Sequence, residues 1–367
     1  MSDIVNSIID NKNERPIFTA AYCLNRAQRK YTCTICNELC PDKVFSLKAG
    51  EPLKWESCRG CGLCVSACPS ACFAPSVSMQ NTLTEDLDLN RSVSFSCFEE
   101  DTLCDKTVEC LAGVPWELLA VLALHTRVYL CTGSCAECDK KERVDVLEQN
   151  VAALRDFLGE ELYNDRVRLL EKGESVPDEG NESTGEAKTR REVFSDVKSS
   201  LTKGLYKITV KKLPFLADTD RDGLQYRKML ANTVLQRRKE AREAEPDKTI
   251  PLPTYGLSLP EFNAACWGCE ICSRICPHKA LEFRDEGSGK KLVYIDTLLC
   301  KGCGLCARLC PEHGMNGIRT VHVPYLAKLP LVRVNGASCI KCGSPVRPGD
   351  NNGLCPTCLA KSKRKLR

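Results

Sequence analysis

No stretch of this chain is long and apolar enough to span a bilayer. The longest apolar run, Leu111 to Leu124, is interrupted by Glu117 and falls short of the roughly 20 residues that a spanning helix needs. The start, Met1-Ser-Asp-Ile-Val, has no basic region followed by an apolar one, and no twin arginine precedes an apolar stretch, so no export signal is read. A glycine fingerprint for a dinucleotide is missing, and so is a phosphate loop, since Gly287-Ser-Gly-Lys-Lys lacks the spacing and the following helix and reads as a hairpin turn. No nucleophile has a base beside it in sequence, so no substrate pocket is legible. An excess of one charge is lacking too: 52 Lys and Arg stand against 48 Asp and Glu, a net +4, which marks neither a nucleic-acid nor a membrane surface. Together these absences predict a cytoplasmic chain with no membrane insertion and no nucleic-acid partner. Its 367 residues leave room for roughly two to four domains.

What the chain does have is cysteine, 27 in all. They fall in C-x2-C steps instead of the wide spacings of a secreted disulfide framework, and this points to metal. The richest stretch runs Cys266-Trp-Gly-Cys269-Glu-Ile-Cys272-Ser-Arg-Ile-Cys276-Pro277 and, after a hairpin-like spacer, Cys300-Lys-Gly-Cys303-Gly-Leu-Cys306-Ala-Arg-Leu-Cys310-Pro311. Each half is C-x2-C-x2-C-x3-C-P. The x2 steps let a tight loop wrap a cluster, and the proline ends that loop by fixing its backbone and removing a donor. Zinc prefers two C-x2-C pairs over runs of four. Earlier in the chain, Cys58-Arg-Gly-Cys61-Gly-Leu-Cys64-Val-Ser-Ala-Cys68-Pro69 repeats the full run, while Cys33-Thr-Ile-Cys36-Asn-Glu-Leu-Cys40-Pro41 has Lys30 where a first cysteine is expected.

Both stretches resemble the bacterial 2(4Fe-4S) ferredoxin family, over residues 258–325 and 20–80. In that pattern three close thiolates hold one cluster and the fourth crosses to the other. The resemblance implies one cluster on Cys266, Cys269, Cys272 and Cys310 and another on Cys300, Cys303, Cys306 and Cys276. Cys58, Cys61, Cys64 and Cys40 would enclose a third. The fourth would use Cys33, Cys36 and Cys68, with Cys23 looping back as the last ligand; without Cys23 that site would hold 3Fe-4S. Ala280-Leu-Glu-Phe with Leu292-Val-Tyr-Ile reads as a β-hairpin between the C-terminal runs, and Lys43-Val-Phe-Ser-Leu with Leu53-Lys-Trp as its N-terminal counterpart.

Between the modules, Ser92–Cys97, Lys106–Cys110 and Arg127–Cys131 are short strand-like runs that each end on cysteine, and helical patterns follow at Pro115–His125 and Glu142–Leu158. Alternation of this kind predicts a parallel sheet with its ligands beyond the carboxyl ends of the strands. Cys97, Cys110, Cys131, Cys135 and Cys138 are therefore read as a further 2Fe-2S or other metal site, or as a thiol-disulfide site with Cys135 and Cys138 as the pair, against the alternative of inert buried thiols. The C-x3-C-x2-C of Cys131, Cys135 and Cys138 also matches the cluster loop of radical S-adenosylmethionine enzymes. Glu137 stands where those usually carry an aromatic, and the barrel they require does not follow. This segment resembles the small iron–sulfur subunit that connects certain hydrogenases to heterodisulfide reductase.

Glu171 to Thr189 is charged and nearly free of apolar residues, so it reads as a linker, followed by a charged helix over Tyr226–Glu245. Asp218-Thr-Asp220-Arg-Asp222 imitates a calcium loop, but its twelfth position is Met229, so the aspartates are read as capping the next helix. In the tail, Cys339, Cys342, Cys355 and Cys358 form two knuckles that suit a structural zinc, with a rubredoxin-like iron as the alternative.

The expected fold is α+β and multi-domain: a ferredoxin module at 20–80, a small Cys-rich α/β domain at 88–165, a charged linker with helices at 171–256, a second ferredoxin module at 258–325 and a zinc-ribbon-like knuckle at 336–361. The expected function is multi-cluster electron transfer to or from a redox enzyme or carrier, as a component of an oxidoreductase, with four 4Fe-4S clusters. The competing readings are a redox-sensing or assembly protein and a thiol-disulfide reductase built on the middle cysteines.

Overall fold

The computed structural model describes residues 15–27, 33–45, 53–100, 102–138, 141–177, 222–244, 253–347, 349 and 351–364. Near the N-terminus, β1 (Ile17–Phe18) pairs antiparallel with β2 (Phe73–Ala74), so the two ends of the first cysteine-rich segment are tied together. Between them lie the short helices α1 (Leu24–Ala27), α2 (Ile35–Leu39) and α3 (Leu63–Ala67). Each is too short to persist alone. They are held by a small core in which the Phe45 ring meets buried Phe73 edge-on and the Phe18 ring packs on it at a tilt, both with centroids 5.1 Å apart. Lys54 donates to the carbonyl of Val44 at 3.0 Å, but no strand forms there among the described residues, and residues 46–52 of the expected hairpin lie outside them.

After α4 (Val77–Thr84), capped by Ser76 accepting from the Met79 amide, the chain builds a parallel sheet. Its strands β3 (Val93–Cys97), β4 (Lys106–Val108), β5 (Val128–Cys131) and β6 (Val167–Leu170) stand in the order β4-β3-β5-β6, all parallel. Helix α5 (Trp116–His125) carries the longest apolar run, and Leu118 to Ala123 are fully buried. A helix apolar on every side must be covered on every side. Sheet and α6 (Lys141–Leu158) cover part of α5, α7 (Glu160–Arg166) leads into β6, and α8 (Gln225–Ala244) lies across the remaining side.

The charged helix α8 is therefore more than a spacer. Tyr226, Met229, Leu230, Ala231 and Val234 are buried together with Arg227, and most of the other charges lie on its outer face. The Leu224 amide donates to Asp222 at 2.9 Å, a cap of the kind expected, while Asp218 and Asp220 lie outside the described residues, as does most of the expected linker.

In the C-terminal part β7 (Tyr255–Phe262) pairs antiparallel with β10 (Met315–Val323), again joining the two ends of a cysteine-rich segment. Within it are the short helices α9 (Ile271–Ile275) and α10 (Leu305–Arg308) and the hairpin β8 (Leu281–Gly287) with β9 (Lys290–Asp296), to which β11 (Lys328–Asn335) adds a third antiparallel strand. A tail of β12 (Ala337–Ser338), β13 (Pro345–Val346) and α11 (Pro356–Arg364) closes the chain. One hydrophobic core includes Leu63, Phe95, Leu118, Phe157, Leu230, Tyr255 and Val293, so it crosses all the larger parts. No helix among the described residues is long and apolar enough to cross a membrane.

Candidate metal centres

Four turns in the chain share one geometry. After Cys40, Cys68, Cys276 and Cys310, the third following residue (Lys43, Ala71, Lys279, His313) has φ between 48° and 54° and returns its amide to the cysteine carbonyl at 3.2–3.3 Å. The fourth following residue (Val44, Cys72, Ala280, Gly314) then donates its amide to the cysteine Sγ at 3.2–3.5 Å. A left-handed non-glycine residue is strained, and here it recurs at all four of these Cys-Pro turns. Its effect is to aim an N–H at a sulfur, which favours the thiolate.

The sulfurs gather in groups. Burial raises the Cys266 thiol, and its charged neighbours are Cys269 and Cys310; Cys272 is raised by burial and by Cys306, Cys266 and Cys269. Burial pushes Cys300 up to about 11 and Cys306 up to about 12, and both face Cys303 and Cys276. The last cysteine of each run thus lies with the first three of the other. In the N-terminal part Cys61 is pushed up to about 11 by burial, beside Cys40 and Cys58, and Cys64 is raised among the same set. Cys36 is pushed up to about 12 by burial and then by Cys68, Cys23 and Cys33. The x9 arm back to Cys23 is held by Asn25, which donates to the Cys33 carbonyl and accepts from the Cys33 amide, both at 2.6 Å.

These sites suit a cationic iron–sulfur core. Cys276, Cys300, Cys303 and Cys306 line one cavity, and Cys40, Cys58, Cys61 and Cys64 line another; the other walls include apolar side chains such as Leu305 and Phe45. Buried thiols side by side cannot all ionise in such surroundings unless a positive centre binds among them.

Of the five middle cysteines the structure brings four together. Burial, then Cys97, Cys110 and Cys138, push Cys135 up to about 12, and Cys110 in turn feels Cys97 and Cys138. Cys131 turns to Cys104 instead, with their Sγ atoms 2.6 Å apart. In the tail, Cys339, Cys342, Cys355 and Cys358 place their sulfurs within 4.8 Å of one another. Amide donation from Cys355 lowers Cys339 to about 6, the behaviour of a thiolate prepared for a metal.

Two residues had no signal in the spacing. Cys104 belongs to no C-x2-C step, and Cys72 follows the Cys68-Pro turn, where its sulfur lies 3.4 Å from Cys68 and is hydrogen-bonded with Cys23. Hydrogen bonding by Cys72 is the main reason that Cys68 falls to about 6.

The groups are not isolated. Cys272 feels Cys306, Cys64 feels Cys36, and Cys303 feels Cys68. The two cysteine-rich segments touch at their Cys-Pro turns, where the His278 ring donates from Nε2 to the Ser70 carbonyl at 2.6 Å and stacks on Tyr22 at 4.3 Å. On the other side Cys61 and Cys110 share Arg143 as a charged neighbour.

No curated protein matches the chain. Residues 265–314, which contain Cys266 to Cys310, match the family model of the 4Fe-4S dicluster domain, so this segment is similar to iron–sulfur proteins of the ferredoxin type.

Proposed function

We propose that the chain is a five-centre electron wire, with two ferredoxin-like modules that meet directly, a middle cluster domain beyond the N-terminal module and a structural zinc in the tail. The observation that carries this reading is the junction of the two cysteine-rich segments, where the His278 ring beside Cys276 donates to the carbonyl of Ser70 beside Cys68 at 2.6 Å, and the charge of Cys68 is felt at Cys303. With the neighbours already described, the order is Cys266/269/272/310, then Cys276/300/303/306, then Cys23/33/36/68, then Cys40/58/61/64, then Cys97/110/135/138. The four equivalent Cys-Pro turns support the reading of two equal modules.

A bound iron–sulfur cluster supplies one-electron transfer. The protein's part is to hold it still and to set its charge. Thiolates of the x2 loops and one crossing cysteine would hold each cluster, and the Val44, Cys72, Ala280 and Gly314 amides, which donate to the crossing sulfurs, would stabilise added negative charge there. Tyr22, His278 and Ser70 lock the module junction, so the inner groups keep one separation. The resemblance of the middle segment to the hydrogenase-linked subunit supports a redox enzyme or carrier as partner, and 27 cysteines fit a reducing, cytoplasmic compartment.

Protein purified without oxygen is expected to carry about sixteen irons as four 4Fe-4S clusters and about two to four more on the middle thiols, with matching sulfide. One zinc per chain is expected beside them. Iron near four per chain would overturn the wire.

A further inference from the structure

We propose that Cys104 and Cys131 form a redox-active disulfide at the end of the wire, through which the protein reduces an external disulfide. The route of electrons rests on the wire reading above; the pair itself does not. Cys131 is the last residue of β5 and is buried with Tyr129 and Leu170, while Cys104 sits half-exposed in the loop ahead of β4. Their sulfurs are already in contact at 2.6 Å, so a bond can form with little backbone movement.

The loop is fixed where it needs to be. The Asp105 carboxylate accepts from the Ser94 amide at 2.8 Å and from the Ser94 hydroxyl at 2.7 Å, and the Asp105 amide donates back to that hydroxyl at 2.8 Å. This ties the residue after Cys104 to the central strand β3 and keeps Cys104 over Cys131. Electrons have a short way to come, because β3 and β5 are neighbouring parallel strands that end on Cys97 of the middle group and on Cys131. On the outside Leu103, next to the half-buried Cys104, is 93% and Phe98 65% exposed, with Glu99 and Glu100 in the same loop, so an incoming disulfide would meet both apolar and acidic side chains. Cys135 and Cys138, the pair expected from spacing, belong to the four-sulfur group instead.

The chemistry balances as follows. A one-electron donor of low potential delivers two electrons in succession, two protons come from water, and the Cys104–Cys131 bond opens to two thiols. The Cys104 thiolate then attacks one sulfur of an external disulfide RSSR and releases RS⁻. The Cys131 thiolate attacks the Cys104 sulfur of the mixed disulfide, releases the second RS⁻ and restores the internal bond. The net change is RSSR plus two electrons and two protons to two RSH.

The test uses the full chain, oxidised by bis(2-hydroxyethyl) disulfide without oxygen, blocked with N-ethylmaleimide and mapped by mass spectrometry. A peptide linked through Cys104 and Cys131 is expected, and titanium(III) citrate should abolish it. Cys104→Ser and Cys131→Ser should keep the iron and sulfide content and lose titanium-dependent reduction of the small disulfide at least tenfold. Loss of iron in Cys104→Ser would make that sulfur a cluster ligand and overturn the proposal. No linked peptide would overturn the pair and leave the wire standing. A linked peptide that dithiothreitol opens but titanium(III) leaves intact, in iron-loaded protein, would overturn the electron route and the wire with it.

Discussion

Cys72 stands within contact of two sulfurs that belong to the same group, Cys23 and Cys68. Replacing Cys23 therefore leaves a substitute thiol at hand. Cys23→Ala is expected to retain its iron with a shifted paramagnetic resonance spectrum, whereas Cys23→Ala with Cys72→Ala should lose about one iron, to a 3Fe-4S form, or the whole cluster. Equal iron loss in the single and double variants would show that Cys72 cannot take over. A second residue-scale prediction concerns Glu117, fully buried at the start of α5. Burial pushes its carboxyl up, but the charges of Lys301, bonded at 3.0 Å, and of Arg227 outweigh this and hold it below the ordinary range. A depressed carboxyl stabilises the fold above the unfolded-state pKa, and that contribution is lost as pH falls through the folded value. Glu117→Gln should cost about 3 kcal/mol near neutral pH, because the cations are left buried without their partner. The deficit, measured by denaturant unfolding, should shrink on acidification; a pH-independent deficit would point to packing instead.

At the scale of elements, the contact that matters most for the wire is the turn Leu111–Gly113 against the Cys61 loop. A Cβ on Gly113 would stand 2.1 Å from the Cys61 carbonyl oxygen, a backbone atom that cannot swing away. Gly113→Ala should push the middle sheet away from the N-terminal module, and stopped-flow reduction of the middle centre should slow at least tenfold while total iron stays constant. An unchanged rate would remove this contact from the electron path. Three of the strands and two of the helices around it were legible from their patterns: β3 and β5 end on Cys97 and Cys131, where their short β-branched and aromatic runs stop, whereas β4 stops at Val108, short of Cys110, and β6 had no signal. The hairpin β8–β9 was legible for the same reason, but β11 was not, since a third strand reaches it from beyond the cysteine run. Nor was the role of α8 readable, because its charged face dominates its composition and hides a narrow apolar stripe.

Across the whole molecule, the core passes from the middle sheet through α5 and α8 into the C-terminal module. Phe157 stacks on Tyr255 at 4.9 Å, and Arg227 of α8 donates to the carbonyls of Thr297 at 2.9 Å and Leu298 at 3.1 Å. Parts that share a core unfold together. Amides of α5 and of β9 are expected to exchange with deuterium through one common opening, and Leu230→Ala, which cuts the core at its centre, should speed both while costing about 2–5 kcal/mol. Separate opening of the two elements would mean that the modules are independent beads.

The cysteine runs themselves determined the kind of chemistry, because ligand spacing within a loop is a local property: x2 steps and a closing proline do not depend on what the rest of the chain does. The tail knuckles were legible for the same reason. Which groups lie beside which was decided only by the tertiary structure. His278 beside Cys276 meets Ser70 beside Cys68, and Cys104 meets Cys131, across separations that no motif spans, and each meeting depends on how a turn or a strand packs on a distant one. Parallel strands bring together residues far apart in sequence at a register that only the packed sheet can set, so which sulfurs are neighbours became visible only in the fold.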